Sequence, residues 1–295
     1  MKAKQKAIVY AILAAALYAI NVPLSKVLLN HIEPTMMAAF LYLGAGMGLF
    51  LYGFIEKRIG KNEKKESLTK KELPYTIGMV LLDIAAPILL MLGISMTNSA
   101  NVSLLNNFEI VATSLIALII FKEVISKKLW FAIALVTIAS IVLSFEGTGS
   151  FTFNHGSLFV LGACLCWGLE NNCTKMISHK SSVEIVVIKG TFSGLGSLVV
   201  ALILQERIPA LLWILAVLLL GFVAYGLSIH LYIMAQKELG AAKTSAYYSI
   251  APFLGVAFSM LLLGERPRFS FYGALLIMVI STCIMIKDTM KEEKL

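Results

Sequence analysis

Five ionisable residues stand inside long apolar runs of the sequence: Asp83, Glu109, Glu170, Lys189 and His230. On insertion scales, a charged group at membrane depth costs at least about 2.5–3.5 kcal/mol. Groups of this kind are kept where they bind a substrate or a proton, or where one charge offsets the desolvation of another. If these runs cross a membrane, the five residues are the first candidates for a binding or proton-transfer site.

Glu109 lies near the middle of a helix predicted over 100–121, with Asn106 and Thr113 on the neighbouring turns. A polar stripe on an apolar helix is expected to face a cavity rather than lipid. Burial favours the neutral form of a carboxyl group, whereas a nearby cation favours the carboxylate. Two hypotheses follow: a substrate or proton site, or a protonated carboxyl bonded to a neighbouring helix.

Glu170 and Lys189 are each about ten residues from a turn centred near residue 180. Antiparallel neighbours therefore bring the two side chains to similar depth, and the sequence predicts that they form an ion pair. Such a pair either stabilises the fold by mutual charge compensation or clamps a zwitterion, and both hypotheses stay open. Asn171 adds an amide beside Glu170.

Asp83 lies one turn before Pro87, a residue that kinks a helix and frees a backbone carbonyl. It is either a site residue or the partner of a hydroxyl on a neighbouring helix. A lone histidine such as His230 is more often a packed core residue than a ligand, and it is kept as a weaker candidate.

Aromatic residues accompany these groups and can hold an organic cation, although ordinary packing is the alternative. The predicted substrate-binding residues are Tyr18, Asn21, Asp83, Asn106, Glu109, Trp167, Glu170, Asn171, Lys189, His230, Tyr247 and Tyr248. The candidates for proton coupling are Glu109, Glu170 and Asp83. No nucleophile–base pair, phosphate-binding loop or metal-ligand cluster is visible in the sequence, so neither an enzyme nor a cofactor or metal site is predicted.

The composition indicates an integral membrane protein, because 59% of the residues are hydrophobic and only 14% are charged, against about 25% charged in soluble domains. A spanning helix needs about 20 mainly apolar residues. The predicted fold is all-α with ten transmembrane helices, and the one long polar linker is 56–74. The ten spans are 7–29, 34–55, 75–97, 100–121, 128–145, 156–177, 182–204, 209–235, 240–263 and 270–286.

The chain contains an internal duplication, seen by comparing Leu90–Leu143 with Tyr232–Ile286. When Glu123 is set on Glu265, Asn106 meets Tyr248 and the small residues before them also match, as Ala100 does with Ala242 and Ser103 with Ser245. The predicted repeats are 1–146 and 147–295. Since each holds five spans, the second enters the membrane from the opposite side, and the two form an inverted pair.

Basic residues set the predicted orientation. Most of the 25 lysines and arginines fall in segments that share one side with the N-terminus. The segments on the other side hold only Lys26, Arg207, Arg266 and Arg268, and Lys189 lies within a span. By the positive-inside rule both termini are cytoplasmic, in a multi-pass protein expected in the plasma membrane. This placement also explains the net charge of +8, so no nucleic-acid partner is predicted.

The fourth helix of each repeat is predicted to begin with small and polar residues, at Ala100–Ser103 and at Gly240–Ser245. These helices are predicted to end at Phe121–Glu123 and at Gly264–Arg266. With Pro252, this pattern resembles the drug/metabolite transporter superfamily and its ten-helix EamA-type members. Ile110, at the place aligned with Pro252, departs from it. The resemblance implies a central cavity lined by the first, third, fourth, sixth, eighth and ninth spans.

The leading functional hypothesis is a secondary active transporter that exports a small metabolite, an amino acid or amine-like solute, by alternating access, with protons as a further hypothesis for the coupling ion. The alternative within transport is efflux of lipophilic cations and drugs. The alternatives outside transport are an intramembrane enzyme or a channel. The expected partners are the lipid bilayer and a small-molecule substrate, and one duplicated chain can work as a monomer or in a homodimer.

Overall fold

The computed structural model describes residues 2–58, 66–121, 126–146, 152–239, 244 and 247–292. The helices of the first half are α1 (Lys2–Ala19), α2 (Asn21–Leu28), α3 (Pro34–Arg58), a 3₁₀ turn (Lys70–Glu72), α4 (Leu73–Met96), α5 (Ser99–Leu105), α6 (Phe108–Phe121) and α7 (Lys127–Ser144). Several residues named in the sequence analysis lie outside the described residues: Lys122, Glu123, Gly240, Ala242 and Ser245.

A two-residue antiparallel ladder, β1 (Phe145–Glu146) with β2 (Thr152–Phe153), flanks the junction between the halves. The helices of the second half are α8 (His155–Ile177), α9 (Ser182–Ile203), α10 (Leu211–Gly221), a π-helical segment (Phe222–Leu227), α11 (Ser228–Leu239), α12 (Ala251–Leu263) and α13 (Phe269–Glu292). The described chain is thus almost entirely helical, which confirms the predicted class.

Six helical stretches of the described chain are long and apolar enough to cross a membrane: Lys4–Leu28, Pro34–Glu56, Lys70–Met96, Ser99–Ile120, Ser182–Ile203 and Leu211–Ala235. Three shorter apolar helices are Trp130–Ser144, Ala251–Leu263 and Phe269–Ile284. Large apolar side chains remain exposed along these helices, for instance Phe50 and Leu219. A multi-pass membrane protein accounts for both features, and the count of ten spans stays a prediction.

Two of the spans predicted as continuous helices are broken. The first is interrupted at Ile20, because Pro23 has no N–H for the Ala19 carbonyl and its ring clashes with that group. The fourth is interrupted at Asn106 and Asn107, where the Asn107 amide donates to the Leu104 carbonyl at 3.3 Å and competes with the helical bonds. Both breaks lie beside predicted site residues.

The eighth predicted span also departs from a regular helix, since residues 222–227 are π-helical. The backbone before this segment packs directly on α3. A Cβ added at Gly221 would lie 2.0 Å from the Leu41 carbonyl oxygen, and one at Gly44 would lie 2.1 Å from that of Leu218. Glycine is therefore required at this crossing, which fixes the π segment against α3.

The two halves of the chain are interleaved rather than side by side. Helix α4 packs along α8, and α1 packs along α11. Each helix of the first pair has its equivalent in the second pair, since α4 corresponds to α11 and α8 corresponds to α1. The other pairs, α3 with α9, α5 with α12 and α7 with α13, join equivalent helices. Polar side chains near the middle of these helices are consequently brought to the boundary between the halves.

At one end of the bundle, two carboxylates of the second half bind helix starts of the first half. Glu206 accepts hydrogen bonds from the backbone N–H groups of Thr35 (3.1 Å) and Met36 (2.6 Å) in the first turn of α3. Glu265 accepts from those of Ser99 (2.9 Å) and Ala100 (2.8 Å) in α5. Carboxylates are favoured here because they satisfy free N–H groups and complement the helix dipole.

Candidate functional site

A buried ionic cluster lies where α4, α8 and α9 meet. The Lys189 Nζ is 3.0 Å from the Asp83 Oδ2 and 3.0 Å from the Glu170 Oε1. The three side chains are 8%, 0% and 2% exposed, respectively. The predicted Glu170–Lys189 pair is confirmed, and Asp83 is a second partner that the sequence did not reveal. We name these three residues the ionic cluster.

Local sequence features bring the cluster together. Next to Lys189, Gly190 lets α9 approach α3 so closely that an added Cβ would lie 2.3 Å from the backbone nitrogen of Gly46. This contact carries Lys189 into the interior. On α4, Pro87 lacks the N–H that would otherwise bond to the Asp83 carbonyl. The crossing and the proline thus set the positions of a cation and of one of its anions.

Neutral hydrogen-bond donors support both carboxylates. The Tyr42 hydroxyl donates to the Asp83 Oδ1 at 2.9 Å and accepts from the Trp167 Nε1 at 3.4 Å. The Thr174 hydroxyl donates to the Glu170 Oε1. The predicted bond between Asp83 and a hydroxyl of a neighbouring helix is therefore confirmed, whereas a role of Asp83 as a site residue stays a prediction. Trp167 reaches the cluster through Tyr42.

Glu109 has a different environment from the ionic cluster. Its Oε1 accepts a hydrogen bond from the Asn171 Nδ2 at 2.7 Å, and the side chain is only partly buried. The same Asn171 amide lies 3.4 Å from the Thr113 hydroxyl. Among the described residues, Lys189 makes its salt bridges with Asp83 and Glu170 and none with Glu109. A neutral amide, rather than a cation, is its hydrogen-bond partner.

Tyrosine rings extend from the ionic cluster across the bundle. The Tyr42 and Tyr225 ring centroids are 5.2 Å apart, and Tyr18 lies 5.8 Å from Tyr225 and 6.1 Å from Tyr248. Tyr232 lies 5.1 Å from Tyr248. We name these five residues the tyrosine cluster.

Two predicted amides flank this region. The Asn21 Nδ2 donates to the Tyr225 hydroxyl at 3.0 Å, and its Oδ1 accepts from Ser25 at 3.1 Å. Asn106, 6% exposed at the break between α5 and α6, has an Oδ1 with no hydrogen-bond partner among the described residues. Buried polar atoms are normally satisfied by protein or ordered water. Asn106, three residues before Glu109, therefore has unused acceptor capacity among the described residues.

The structure places His230 apart from the ionic cluster and leaves Tyr247 outside the tyrosine cluster. His230 contacts the Ser182 hydroxyl at 3.4 Å and the Tyr52 ring at 5.1 Å, near the start of α9. Its neighbours match those of a packed core histidine. Tyr247 is half-buried, and its ring has no aromatic partner within the described part of the chain. Tyr248, its neighbour in sequence, is the one that joins the tyrosine cluster.

Sequence reasoning missed Tyr42 and Tyr225, which link the ionic cluster to the tyrosines. Tyr42 carries no charge and follows a plain apolar run, so nothing in its surroundings identifies it. Tyr225 lies between Gly221 and Gly226 in the sequence. Those glycines were a signal of close helix approach, but the π turn that orients Tyr225 has no recognisable sequence pattern.

We call the ionic cluster and Glu109 together the charged centre. Two of its carboxylates, Asp83 and Glu170, bind the Lys189 ammonium group, and the third, Glu109, is bonded to the Asn171 amide. Among the described residues, no group of three His, Cys, Asp or Glu side chains is placed to hold a metal ion. The chemistry that these side chains support is reversible binding of a cation or a proton.

Comparison with known families matches the EamA-like transporter family to residues 5–145 and 154–287, one match in each half. An uncharacterized transporter of Methanothermobacter thermautotrophicus is 26% identical over 276 residues, covering 86% of this chain and 78% of the relative. The uncharacterized transporter YyaM of Bacillus subtilis is 22% identical over 270 residues, covering 87% and 86%. Neither name specifies a substrate.

Among solved structures, one protein crystal structure aligns with a TM-score of 0.69 and covers 94% of each chain. Its sequence identity is 14%, so the likeness concerns the fold alone. The helical arrangement described above is thus one that a solved protein also adopts over nearly its full length.

Proposed function

Because the chain belongs to the EamA-like transporter family, we propose that it is a secondary carrier that exports a small metabolite, an amino acid or amine-like solute, by alternating access. Membrane transport follows from the family. The substrate class, the outward direction, the plasma membrane as location and the use of protons are the proposal. Small solutes of this kind need no cofactor from the chain.

The observation that supports this proposal most is the charged centre between the two halves. Lys189 of the second half binds both Asp83 of the first half and Glu170, and Glu109 lies in the same electrostatic neighbourhood. Carriers of this architecture bind their substrates near the midplane where the repeats meet. A site at that boundary can open to either side when the halves rock against each other.

We further propose the ten-span inverted topology with both termini in the cytoplasm. The exchange symmetry of the pairs α4–α8 and α1–α11 supports it, because equivalent helices play reciprocal roles. The distribution of lysines and arginines supports the orientation. In this arrangement the end of the bundle that holds Glu206 and Glu265 is the outer one.

Glu109 is the proposed proton-exchange residue, with Glu170 and Asp83 as the other carboxyl candidates. Its donor Asn171 directly follows Glu170 in α8, which links Glu109 to the ionic cluster. Asn171 donates to its carboxylate without adding charge, so the carboxyl can take a proton when a substrate leaves. One proton would then return for each substrate released.

Efflux of lipophilic cations is the second candidate, and the tyrosine cluster favours it because aromatic faces attract organic cations. The charged centre serves both candidates equally. An intramembrane enzyme or a channel has less support, since the family is one of transporters.

The proposal is tested with the purified chain in proteoliposomes that carry a pH-sensitive dye and an imposed pH gradient. Amino acids, amines and lipophilic cations are added in turn, and proton movement is followed. We expect a solute-dependent proton flux in the wild type, none in Glu109→Gln, and wild-type flux in Glu33→Gln, which alters an exposed carboxylate outside the centre. Equal flux in the wild type and Glu109→Gln would contradict the proton role of Glu109.

A further inference from the structure

One face of α5 carries buried side-chain oxygen atoms that no protein group satisfies. The Oγ atoms of Ser99 and Ser103 and the Oδ1 atoms of Asn106 and Asn107 have no hydrogen-bond partner among the described residues. These side chains are at most 6% exposed. Their positions follow the spacing i, i+4, i+7 and i+8, which places them on one side of a helix. We name these four residues the α5 polar face.

The α5 polar face is unfavourable in the conformation that the structure shows. A buried oxygen atom without a partner costs the desolvation of that atom, and the large majority of buried polar atoms are therefore hydrogen-bonded. Four such atoms in a row are more than one local packing error explains. A conformation in which this face met water would satisfy all of them together.

Helix α12 covers the α5 polar face. The two helices pack together, and a Cβ added at Gly255 of α12 would lie 2.9 Å from the Ser103 Oγ and 3.1 Å from the Ser103 Cβ. Helix α6, which continues the same predicted span beyond the break, packs mainly on α8 instead. The fourth span thus meets α12 through α5. We call this contact the α5–α12 seam.

Glu265 fastens the seam at the end of the bundle proposed to be the outer one. It follows the last turn of α12, and its carboxylate accepts hydrogen bonds from the backbone N–H groups of Ser99 (2.9 Å) and Ala100 (2.8 Å). Gly264 turns the chain between α12 and Glu265 with a φ of 63°, a left-handed conformation that favours glycine. The carboxylate therefore binds the two helices together at the outermost residue of the α5 polar face.

The inner end of the α5 polar face reaches the charged centre. The Asn106 carbonyl accepts a hydrogen bond from the Glu109 backbone N–H at 3.1 Å, across the break between α5 and α6. At 1.5 Å per residue, the distance along the helix from Ser99 to Asn107 is about 12 Å. The face thus forms a continuous polar strip between the outer end of the bundle and the surroundings of Glu109.

From these contacts we infer that the α5 polar face lines the outer half of the transport route, and that the structure shows this route closed by α12 and Glu265. When the seam opens, the four side chains meet water and solute, and Glu109 becomes accessible from the outer side. Their hydroxyl and amide groups are neutral, so the route itself does not select the charge of the solute. This inference rests on the proposed carrier function and its orientation, and it adds the residues that a solute passes.

The first test measures access to the α5 polar face without any solute. The full-length protein in right-side-out membrane vesicles is treated from outside with a small, charged methanethiosulfonate that does not cross the bilayer. Ser103→Cys reports on the polar face, and Val102→Cys is the control, since it is also buried but lies on another side of α5. Peptide mass spectrometry follows each position separately from the native cysteines.

We expect Ser103→Cys to react about tenfold faster than Val102→Cys, because local opening exposes one side of the helix only. Adding Glu265→Gln should raise the rate at Ser103→Cys about tenfold again, since an amide oxygen replaces a charged acceptor of two hydrogen bonds. Glu206→Gln is the matched control, because Glu206 binds the start of α3 at the same end. It should leave the rate unchanged.

The second test locks the seam. Ser103→Cys combined with Gly255→Cys brings two Cβ atoms to about 3.1 Å, within reach of a disulfide after modest adjustment. Met96→Cys combined with Gly156→Cys is the matched pair, with a Cβ separation of 3.0 Å between α4 and α8. We expect oxidation of the first pair to stop solute-driven proton flux and a reductant to restore it, whereas oxidation of the second pair should leave flux intact.

Three results overturn the inference. They are a Ser103→Cys rate no higher than that of Val102→Cys with or without Glu265→Gln, an equal effect of Glu206→Gln, and full flux through the locked seam. The first result is the one expected if ordered water satisfied the face inside a seam that stays shut.

The two tests separate this inference from the proposed function. Fast labelling that depends on Glu265, without solute-driven flux in any variant, would retain the opening seam and contradict the proton-coupled carrier. Flux through the locked seam would retain the carrier and reject the route along α5.

Discussion

Neighbouring residues of α8, Glu170 and Asn171, enter two polar regions of opposite character. Glu170 belongs to the ionic cluster, where Lys189 is held between two carboxylates at 3.0 Å and all three side chains are nearly inaccessible. Asn171 binds Glu109, which is partly exposed and has no cation partner among the described residues. One region therefore pairs charges of the two halves, whereas the other holds a carboxylate bonded to a neutral amide.

Removal of the central cation should have the largest effect on stability. In Lys189→Met, Asp83 and Glu170 would be buried without a counter-ion, and loss of one partner of a buried pair costs about 3–5 kcal/mol. Thermal unfolding of the detergent-solubilised protein measures this change. A Lys189→Met protein as stable as the wild type would break the comparison, because the ionic cluster would then have no role in joining the halves.

A matched variant separates loss of charge balance from loss of shape. Combining Lys189→Met with Asp83→Asn and Glu170→Gln removes every formal charge from the ionic cluster while keeping similar volumes. We expect the triple variant to unfold at a higher temperature than Lys189→Met alone, since no buried ion is left uncompensated. If the triple variant were the less stable of the two, packing rather than charge would hold this region.

Glu109→Gln should show the reverse pattern. Its partner Asn171 can still bond to an amide, so unfolding should change by less than about 0.5 kcal/mol, as at sites away from core features. Solute-driven flux should fall at least tenfold, equivalent to about 1.4 kcal/mol. Unfolding and proteoliposome flux measured on the same preparation sharpen the comparison. A stability loss equal to that of Lys189→Met would erase the distinction between the regions.

Among the variants of the ionic cluster and its hydrogen-bond donors, Tyr42→Phe should have the smallest effect on stability. The substitution removes the hydroxyl that donates to the Asp83 Oδ1 at 2.9 Å and leaves the ring in place. A hydrogen bond to a charged group contributes about 1.5–3 kcal/mol at most, and Lys189 still binds the other oxygen. We expect a loss of about 1 kcal/mol in thermal unfolding. No change at all would show that this hydroxyl is dispensable.

The sequence predicted the features that depend on local spacing. The apolar helices follow from long apolar runs, and the duplication follows from a repeated pattern of residues. The Glu170–Lys189 pair follows from two positions at equal distances from one turn, because antiparallel neighbours bring them to similar depth. The break at Ile20 was also encoded, by Pro23, although the prediction gave a continuous span. Buried Asn106 and Asn107 carried the same kind of signal for the break in the fourth span.

The features that the sequence did not predict depend on contacts between distant helices. Asp83 meets Lys189 because α9 packs against α4 as well as against α3, where Gly190 contacts Gly46, and no spacing in the sequence encodes that packing. Tyr42 and Tyr225 come together through the glycine contact of α3 with α10 and through a π turn. The tyrosine cluster is therefore a product of tertiary packing, with members on five separate segments.

The carboxylates of Glu206 and Glu265 have a consequence for how the molecule could be divided. Both come from the second half, and both bind backbone N–H groups at helix starts of the first. A fragment ending between β1 and β2 would leave all four of these N–H groups without their carboxylate partners. If the chain were made as two separate polypeptides, the N-terminal fragment would depend on the C-terminal fragment for its stability. Mixing the two fragments would then restore the hydrogen bonds that the intact chain makes within one molecule.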